Sequence, residues 1–445
     1  MRNPVMEGRS DNRFLRFWKW AVLGAPVWWL LGFSLFIYHA MAFLLFFTMV
    51  YHFQKKPAGI FLPPSFFFLF SLGAIFLFSV LTHAFVYEPM RVAASLYNLS
   101  FWAMGLCLIA VMANSFSFSE AASYLKVFPP LAWGFVFFGV AALGSGLAGM
   151  RLVLFPTPLY FLTDFLGHTA LVEETLTVQL LLSDLFASLT HPRFNALVPY
   201  PTAAGAMIMI VLMMLLTRAA MMKKTASPQF LFLFIANFSA LLMTLSRTPI
   251  LAFFVGFIVV FLLKKKHPLL WVFLFFLTLA LALPWLDQFI GWLLELRQGS
   301  TSARLALYSY SLKQIAGVDW ILGQGVKPRE ESAFSLPIGS HCTYLSLLFR
   351  TGVVGGLIFI LFQGSLFWRW YRLRSRVVNS PSAFLFWRGL GWVFFGMAIC
   401  MLTDDIDAPQ LLAFIYFSLI GIFEGFARGL EPKFSGKITR VERDG

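Results

Sequence analysis

Apolar residues fill most of the chain in runs of about 20 residues, and short polar segments separate one run from the next. A helix needs a run of roughly this length to cross the hydrocarbon layer of a bilayer. No polar region between the runs is long enough to bury a core of its own. The pattern therefore predicts an all-α integral membrane protein with one continuous membrane domain.

The runs predict about twelve transmembrane helices, with the domain extending over residues 18–427 between cytoplasmic tails at 1–17 and 428–445. The first apolar stretch, Ala21 to Phe53, is too long for a cleaved signal peptide and is expected to be a retained helical hairpin. The expected spans are 18–36, 38–53, 60–83, 91–112, 127–149, 201–217, 229–245, 249–263, 268–290, 340–362, 384–402 and 410–427.

Composition and charge agree with this interpretation. The chain is 59% apolar and 12% charged, whereas soluble domains carry about 25% charged residues. With the N-terminus inside, most of the 34 lysines and arginines fall in inside segments, as cytoplasmic loops require. The net charge of +14 is therefore mainly a topology signal and does not indicate nucleic acid. The three scattered cysteines show neither a disulfide framework nor metal-ligand spacing, so we expect no metal and no cofactor.

Two longer loops are predicted outside the membrane, at about 150–200 and 291–339. Residues 173–189 are largely apolar but contain acidic side chains, and we expect an interfacial helix there. In the second loop, Ser300 to Ser302 offer a helix N-cap, and a helix is expected from Ala303 to about Ile315.

Several outside arginines run against the positive-inside bias and are candidates for binding an anion. Arg247 lies in a tight turn between two apolar helices, where its guanidinium would add to the positive end of a helix dipole. Capping by Thr248 with snorkelling of the arginine is the alternative. For Arg304 and Arg193, a solvated surface charge and an interface anchor are the simpler explanations.

His341 stands where a polar segment re-enters apolar surroundings, after the Gly339–Ser340 pair. A neutral imidazole is well suited to accept a proton near neutral pH. Gly352 and Gly356 would let another helix pack closely behind this one. The ILGQG stretch at 321–325 is expected to form a backbone turn nearby.

The order of these motifs resembles the O-antigen ligase and polymerase family. The pieces are Ser246–Arg247, then Ser302–Ala303–Arg304, then Gly323–Gln324–Gly325, then His341–Cys342–Thr343–Tyr344–Leu345, followed by Thr351–Gly352–Val353–Val354–Gly355. The segment at Arg193 is similar to the family's entry into the preceding span. The motifs cover about 190–360. The chain departs from the family pattern at Cys342 and Thr202, where Asn is usual, and at Arg350, where a small or acidic residue is usual.

The resemblance implies a GT-C-like, metal-independent, inverting glycosyltransferase of the bacterial inner membrane. Its donor would be a glycan linked to undecaprenyl diphosphate, and its acceptor a hydroxyl of lipid A–core or of another glycan at the outer face. His341 would be the catalytic base, and Arg247, Arg304 and Arg193 would bind the diphosphate. Arg350, Tyr344 and Ser246 are candidates for lining the cavity.

Other interpretations stay open at the level of sequence. A polymerase of the same family would use the same residues. A twelve-helix secondary transporter or a non-catalytic scaffold for envelope assembly are alternatives from other classes. The aspartates Asp404, Asp405 and Asp407 are expected in a solvated loop, with a divalent-ion site as the less favoured alternative.

Overall fold

The computed structural model describes residues 13–54, 60–166, 170–182, 192–262, 298–328 and 338–430. Apart from one small sheet and short 3₁₀ turns, the regular structure in these ranges is helical. The helices are α1 Arg13–Leu23, α2 Ala25–Leu31, α3 Ile37–Gln54, α4 Pro64–His83, α5 Pro89–Ser115, α6 Ala121–Tyr124, α7 Phe128–Leu147, α8 Thr163–Leu166, α9 Ala170–Thr175, α10 Pro201–Met221, α11 Pro228–Met243, α12 Arg247–Leu262, α13 Gln298–Gln314, α14 Asp319–Leu322, α15 Thr343–Val377, α16 Pro381–Cys400 and α17 Gln410–Leu430.

Within the described residues, eight helical segments are long and apolar enough to cross a membrane. Two further apolar helices, α11 and α12, are shorter. The predicted span 18–36 is broken into α1, α2 and a 3₁₀ turn, Phe33–Leu35. The predicted span 268–290 lies outside the described residues. A multi-pass helical membrane protein is therefore supported, while the count of twelve stays a prediction.

The helical prediction for 173–189 is wrong over Thr177–Leu182, which is a β-strand. This strand, β2, pairs antiparallel with β1 (Val153–Pro156) on one side and with β3 (Arg193–Phe194) on the other. Its four central residues are all buried, so it has no exposed polar face. A strand buried on both faces is a continuous apolar run, which periodicity alone cannot distinguish from a helix.

Helix α17 forms the centre of the bundle, and every residue of its most apolar window is buried. Its neighbour α15 is joined to α16 by a pair of indoles, Trp370 and Trp387, whose rings stack 4.3 Å apart and 2° from parallel. Each indole N–H donates to the other residue's backbone carbonyl, at 2.8 and 2.7 Å. The tryptophans thus bury large apolar surfaces while satisfying their polar atoms.

Helix α15 is kinked at Gly352, whose φ of 63° and ψ of −169° are not helical. The Gly323–Gln324–Gly325 turn packs into this kink. The backbone N–H of Gln324 donates to the Phe349 carbonyl (2.9 Å), and that of Gly325 donates to the Arg350 carbonyl (3.0 Å). Two backbone carbonyls of α15 next to the kink therefore accept hydrogen bonds from this turn.

The expectation that Gly352 and Gly356 let another helix pack closely holds for Gly352 and is wrong for Gly356. A Cβ on Gly352 would overlap the backbone of Ile321 and Leu322, the last two residues of the short helix α14, so the close approach of α14 depends on this glycine. A Cβ on Gly356 would meet only the Leu348 side chain of its own helix, at 4.0 Å.

Gly323→Ala should destabilise the fold strongly. Gly323 has a left-handed φ of 75°, and a Cβ would also overlap the backbone of Arg350 and Thr351. With a ψ of 172°, Gly323 lies in a backbone region that essentially only glycine adopts, and this costs a residue with a side chain about 1–3 kcal/mol. The overlap should bring the total to about 3 kcal/mol or more. Thermal unfolding of the purified protein in detergent measures the effect.

Gly317→Ala is the matched control, because Gly317 has a φ of 54° and open space where its Cβ would lie. Gly317→Ala should lose only the stability that a positive φ costs a residue with a side chain. Equal losses of stability in the two variants would contradict the docking of the turn in the kink.

Candidate functional site

The three aspartates between α16 and α17 are buried, so the prediction of a solvated loop is wrong. Asp404, Asp405 and Asp407 are 7%, 8% and 3% exposed. The composition of the loop predicted exposure to solvent, because carboxylates are rarely buried unless each has a hydrogen-bonding or charged partner. Here each carboxylate has a hydrogen-bond donor nearby, and two of those donors are cationic side chains.

Asp405 connects His341 with a buried lysine. Its Oδ2 atom accepts from Lys327 Nζ at 2.8 Å and from the backbone N–H of His341 at 3.3 Å. Lys327 is 8% exposed. Burial alone raises the pKa of Asp405, but Lys327 and Arg350 outweigh it and hold that pKa below its ordinary value. The carboxylate is therefore ionised and fixed from two sides.

His341 has a left-handed backbone, with a φ of 64°. A residue with a side chain adopts this conformation only where its surroundings impose it. The His341 carbonyl is held by Tyr308, whose hydroxyl donates to it at 2.5 Å. Burial and the positive charge of Arg304 lower the pKa of His341 to about 4. The imidazole is therefore neutral at physiological pH.

The residues after His341 anchor the start of α15 to the aspartate loop. The Thr343 N–H donates to the Met401 carbonyl at 2.9 Å, and its hydroxyl donates to the Asp404 carbonyl at 2.7 Å. Cys342 is buried, and burial raises the pKa of its thiol. That thiol stays protonated and is a poor nucleophile.

Arg304 lies on α13 and reaches the aspartate loop. Its Nη1 donates to the Thr403 carbonyl at 3.2 Å, while Nε, like Asp404 Oδ2, is buried without a hydrogen-bond partner among the described residues. Burial raises the pKa of Asp404 to about 7, although Arg304 opposes this shift. The Asp404 carboxyl, whose pKa is about 7, thus lies beside the Arg304 guanidinium, whose Nε–H has no acceptor among the described residues.

Arg193 is buried on β3, at 6% exposure, and holds the turn between α11 and α12. Its Nε donates to the Thr244 carbonyl at 2.9 Å, and its Nη2 donates to Ser246 Oγ at 2.8 Å. Ser246 in turn donates to the Pro201 carbonyl at 3.2 Å. Arg247 follows immediately as the first residue of α12 and is partly buried.

Arg350 lies within α15 and is 1% exposed. It forms a salt bridge with Asp407, and its guanidinium carbon lies 5.2 Å from the centre of the Phe76 ring. The cost of an arginine in this apolar helix is thus offset by a carboxylate and an aromatic face. On the same helix, the Tyr344 hydroxyl donates to the Ala398 carbonyl at 3.2 Å.

Tyr200 connects the Arg193 region to the His341 region. Its hydroxyl donates to the Asp405 carbonyl at 3.4 Å, and it precedes Pro201, which accepts from Ser246. The helix starts at Pro201, Arg247, Thr343 and Gln410 therefore meet at one end of the bundle, which we call the His341 end.

Sequence reasoning missed several polar residues at this end. Asp405 and Lys327 were not recognised as a pair. Burial and the neighbouring Glu173 raise the pKa of Glu174 to about 7. Asn195, two residues after Arg193, is fully buried and lacks a partner for either polar side-chain atom among the described residues. No pattern of sequence periodicity indicates such burial.

Residues 230–360 match the family model described as O-antigen ligase. The match supports an O-antigen ligase family assignment. It includes Arg247, Arg304 and His341, whereas Arg193 and the aspartate loop lie outside the matched range. No curated protein matches the chain significantly.

The family implies a membrane-embedded function of the glycan ligase or polymerase type, with a lipid-linked glycan and a glycan acceptor as partners. Together with the apolar helices, it supports a multi-pass membrane protein. Among the described residues, no three His, Cys, Asp or Glu side chains are grouped as a metal ion would require.

Lys327→Met should destabilise the protein by about 3–5 kcal/mol, because it leaves a buried carboxylate without its charged partner. Adding Asp405→Asn should recover part of the loss, since the amide oxygen can still accept from the His341 N–H. Denaturation of the two single variants and of the double variant gives the coupling energy.

Asp319→Asn is the control, because the His83–Asp319 pair, at 3.4 Å, is 23% and 29% exposed. It should cost about 1 kcal/mol or less. If Lys327→Met were equally mild, the pair would not organise the His341 end.

Proposed function

We propose that the protein transfers a glycan from a polyprenyl diphosphate, of the undecaprenyl type, to an acceptor hydroxyl. The reaction would take place at the His341 end, facing the outside of the bacterial inner membrane. The observation that carries the proposal is the meeting, at this end, of a neutral histidine with a guanidinium and a carboxyl that have unsatisfied polar atoms. Buried polar groups without protein partners are the exception in folded proteins and mark places where a polar ligand or water fits.

The donor's diphosphate would be held by Arg304 and Arg247. The Nε of Arg304 has donor capacity left after its contact with Thr403, and Arg247 stands at the positive end of α12. Arg193 would have a different role, because two of its N–H donors already bind Thr244 and Ser246. It would place the turn that carries Arg247 and add positive charge. Fixed cations of this kind stabilise charge that grows on a leaving diphosphate.

His341 would accept the proton of the attacking hydroxyl. The hydroxyl oxygen forms a bond to the anomeric carbon while the bond from that carbon to the diphosphate oxygen breaks. The proton moves to a ring nitrogen of His341, and polyprenyl diphosphate leaves. A single displacement of this type inverts the anomeric centre.

The low pKa of His341 becomes an advantage once the donor is bound. A base with a pKa of about 4 is always unprotonated at neutral pH but has little affinity for a proton. The positive charge of Arg304 contributes to the lowering of the His341 pKa. A bound diphosphate would offset that positive charge and raise the pKa of His341, which strengthens the base when substrate is present.

Asp404 is the second candidate for the base. Its pKa of about 7 is better matched to neutral pH, and its Oδ2 has no partner among the described residues. The acceptor remains open between lipid A–core, which would make the protein a ligase, and another lipid-linked glycan, which would make it a polymerase.

A pH profile of glycan transfer by the reconstituted protein distinguishes the two bases. If His341 is the base, kcat/KM should stay level from pH 8 to about 5 and fall only near pH 4, because the imidazole loses its free pair only there. The fall in kcat should lie at a higher pH, since bound donor raises the pKa of His341. If Asp404 is the base, kcat/KM should fall about tenfold per pH unit below pH 7.

Two variants complete the test. His341→Ala should reduce kcat by about 10²–10⁴-fold, whereas Asp404→Asn should leave a measurable rate and no inflection near pH 7. Transfer by His341→Ala at the wild-type rate would exclude His341 as the base and favour Asp404, whereas a wild-type protein that transfers no glycan would favour a scaffold or a transporter.

A further inference from the structure

At the end of the bundle opposite to His341, a groove of about 1520 Å³ lies between the start of α4 and the last turns of α15. Its walls include Phe61, Trp368, Arg372, Arg376 and Glu424. The groove is far from the proposed chemistry, because α15 begins at Thr343 beside the aspartate loop and rises about 1.5 Å per residue.

A stripe of exposed apolar side chains on α15 leads along the helix to this groove. Leu357, Ile360, Leu361 and Trp368 are 54%, 56%, 57% and 63% exposed. Their spacing of three, four and seven residues places them on one helix face. Because α15 is long and apolar enough to cross a membrane, this face would meet acyl chains.

The same face continues into Arg372, four residues beyond Trp368, with Arg376 one turn further at its edge. Both arginines are exposed, and among the described residues neither has a carboxylate within salt-bridge distance. The acidic residue in the wall, Glu424, is 2% exposed and already paired with Arg369, so it does not neutralise them. The mouth of the groove therefore carries uncompensated positive charge.

We propose that this groove binds the headgroup of an anionic phospholipid. An acyl chain lying along the stripe would place its phosphate at Arg372 and Arg376, and the Trp368 indole would lie between the apolar and polar parts of the lipid. A free phosphate would use the arginines alone and would not require the apolar approach. This inference does not depend on the proposed function at the other end.

Native mass spectrometry of the full-length protein in neutral detergent tests the proposal, with phosphatidylglycerol and phosphatidylcholine as probes. The wild type should retain phosphatidylglycerol in preference to phosphatidylcholine. Arg372→Gln with Arg376→Gln should weaken phosphatidylglycerol binding about 30-fold, because each cation near an anionic lipid contributes about a factor of five. Both positions are exposed, so the fold should persist.

Lys223→Gln with Lys224→Gln is the matched control. It removes the same charge at the same end of the bundle, from exposed residues that follow α10, and it should leave binding unchanged. Trp368→Ala should weaken binding about tenfold without changing the charge, because it removes an exposed apolar contact. Inorganic phosphate at millimolar concentration should not displace the lipid.

The proposal is overturned if the arginine double variant binds phosphatidylglycerol like the wild type. It is also overturned if the lysine double variant loses as much, which would make the effect one of general charge. Displacement of the lipid by inorganic phosphate, or an unchanged Trp368→Ala variant, would show an anion site that does not use the acyl chain.

Discussion

The His341 end depends on the carboxylate of Asp405. One of its oxygens accepts from Lys327 and from the backbone of His341. An ionised carboxylate at 8% exposure is costly unless such partners are present. Lys327 follows the Gly323–Gly325 turn by two residues, and that turn packs into the kink of α15. The aspartate loop, the turn and the histidine are therefore held as one unit, although they are far apart in the sequence.

This unit explains why the candidate residues converge. Arg304 reaches Thr403, Tyr308 holds the carbonyl of His341, and Tyr200 contacts Asp405. Arg193 joins through the Ser246–Pro201 contact. The two ends of the bundle carry charged side chains in different environments. At the His341 end cations and carboxylates are buried together, whereas at the opposite end Arg372 and Arg376 extend into an open groove.

Sequence patterns predicted the parts of the fold that depend on one segment at a time. The long apolar helices, the break at Ser246–Arg247 and the existence of a loop helix before Ile315 follow from local composition. The predicted N-cap at Ser300 to Ser302 is wrong, because that helix begins at Gln298. Contacts between distant segments were not predictable in the same way. The burial of Asp404, Asp405 and Asp407 requires Lys327 and Arg350, which lie in other segments. The strand Thr177–Leu182 requires partners on both sides. For the candidate site, motif order indicated His341, Arg247 and Arg304, while the supporting carboxylates carried no motif.

The proposed reaction consumes a lipid-linked glycan at the His341 end. The most direct measurement is the profile of polyprenyl-linked glycans in cells that lack the protein and are complemented with either the wild type or His341→Ala. We expect glycans to accumulate on polyprenyl diphosphate without the protein, the wild type to clear them and His341→Ala not to clear them. Long accumulated glycans would indicate a ligase, and single repeat units a polymerase. An unchanged profile would contradict the proposed function, and clearance by His341→Ala equal to that of the wild type would exclude His341 as the catalytic base.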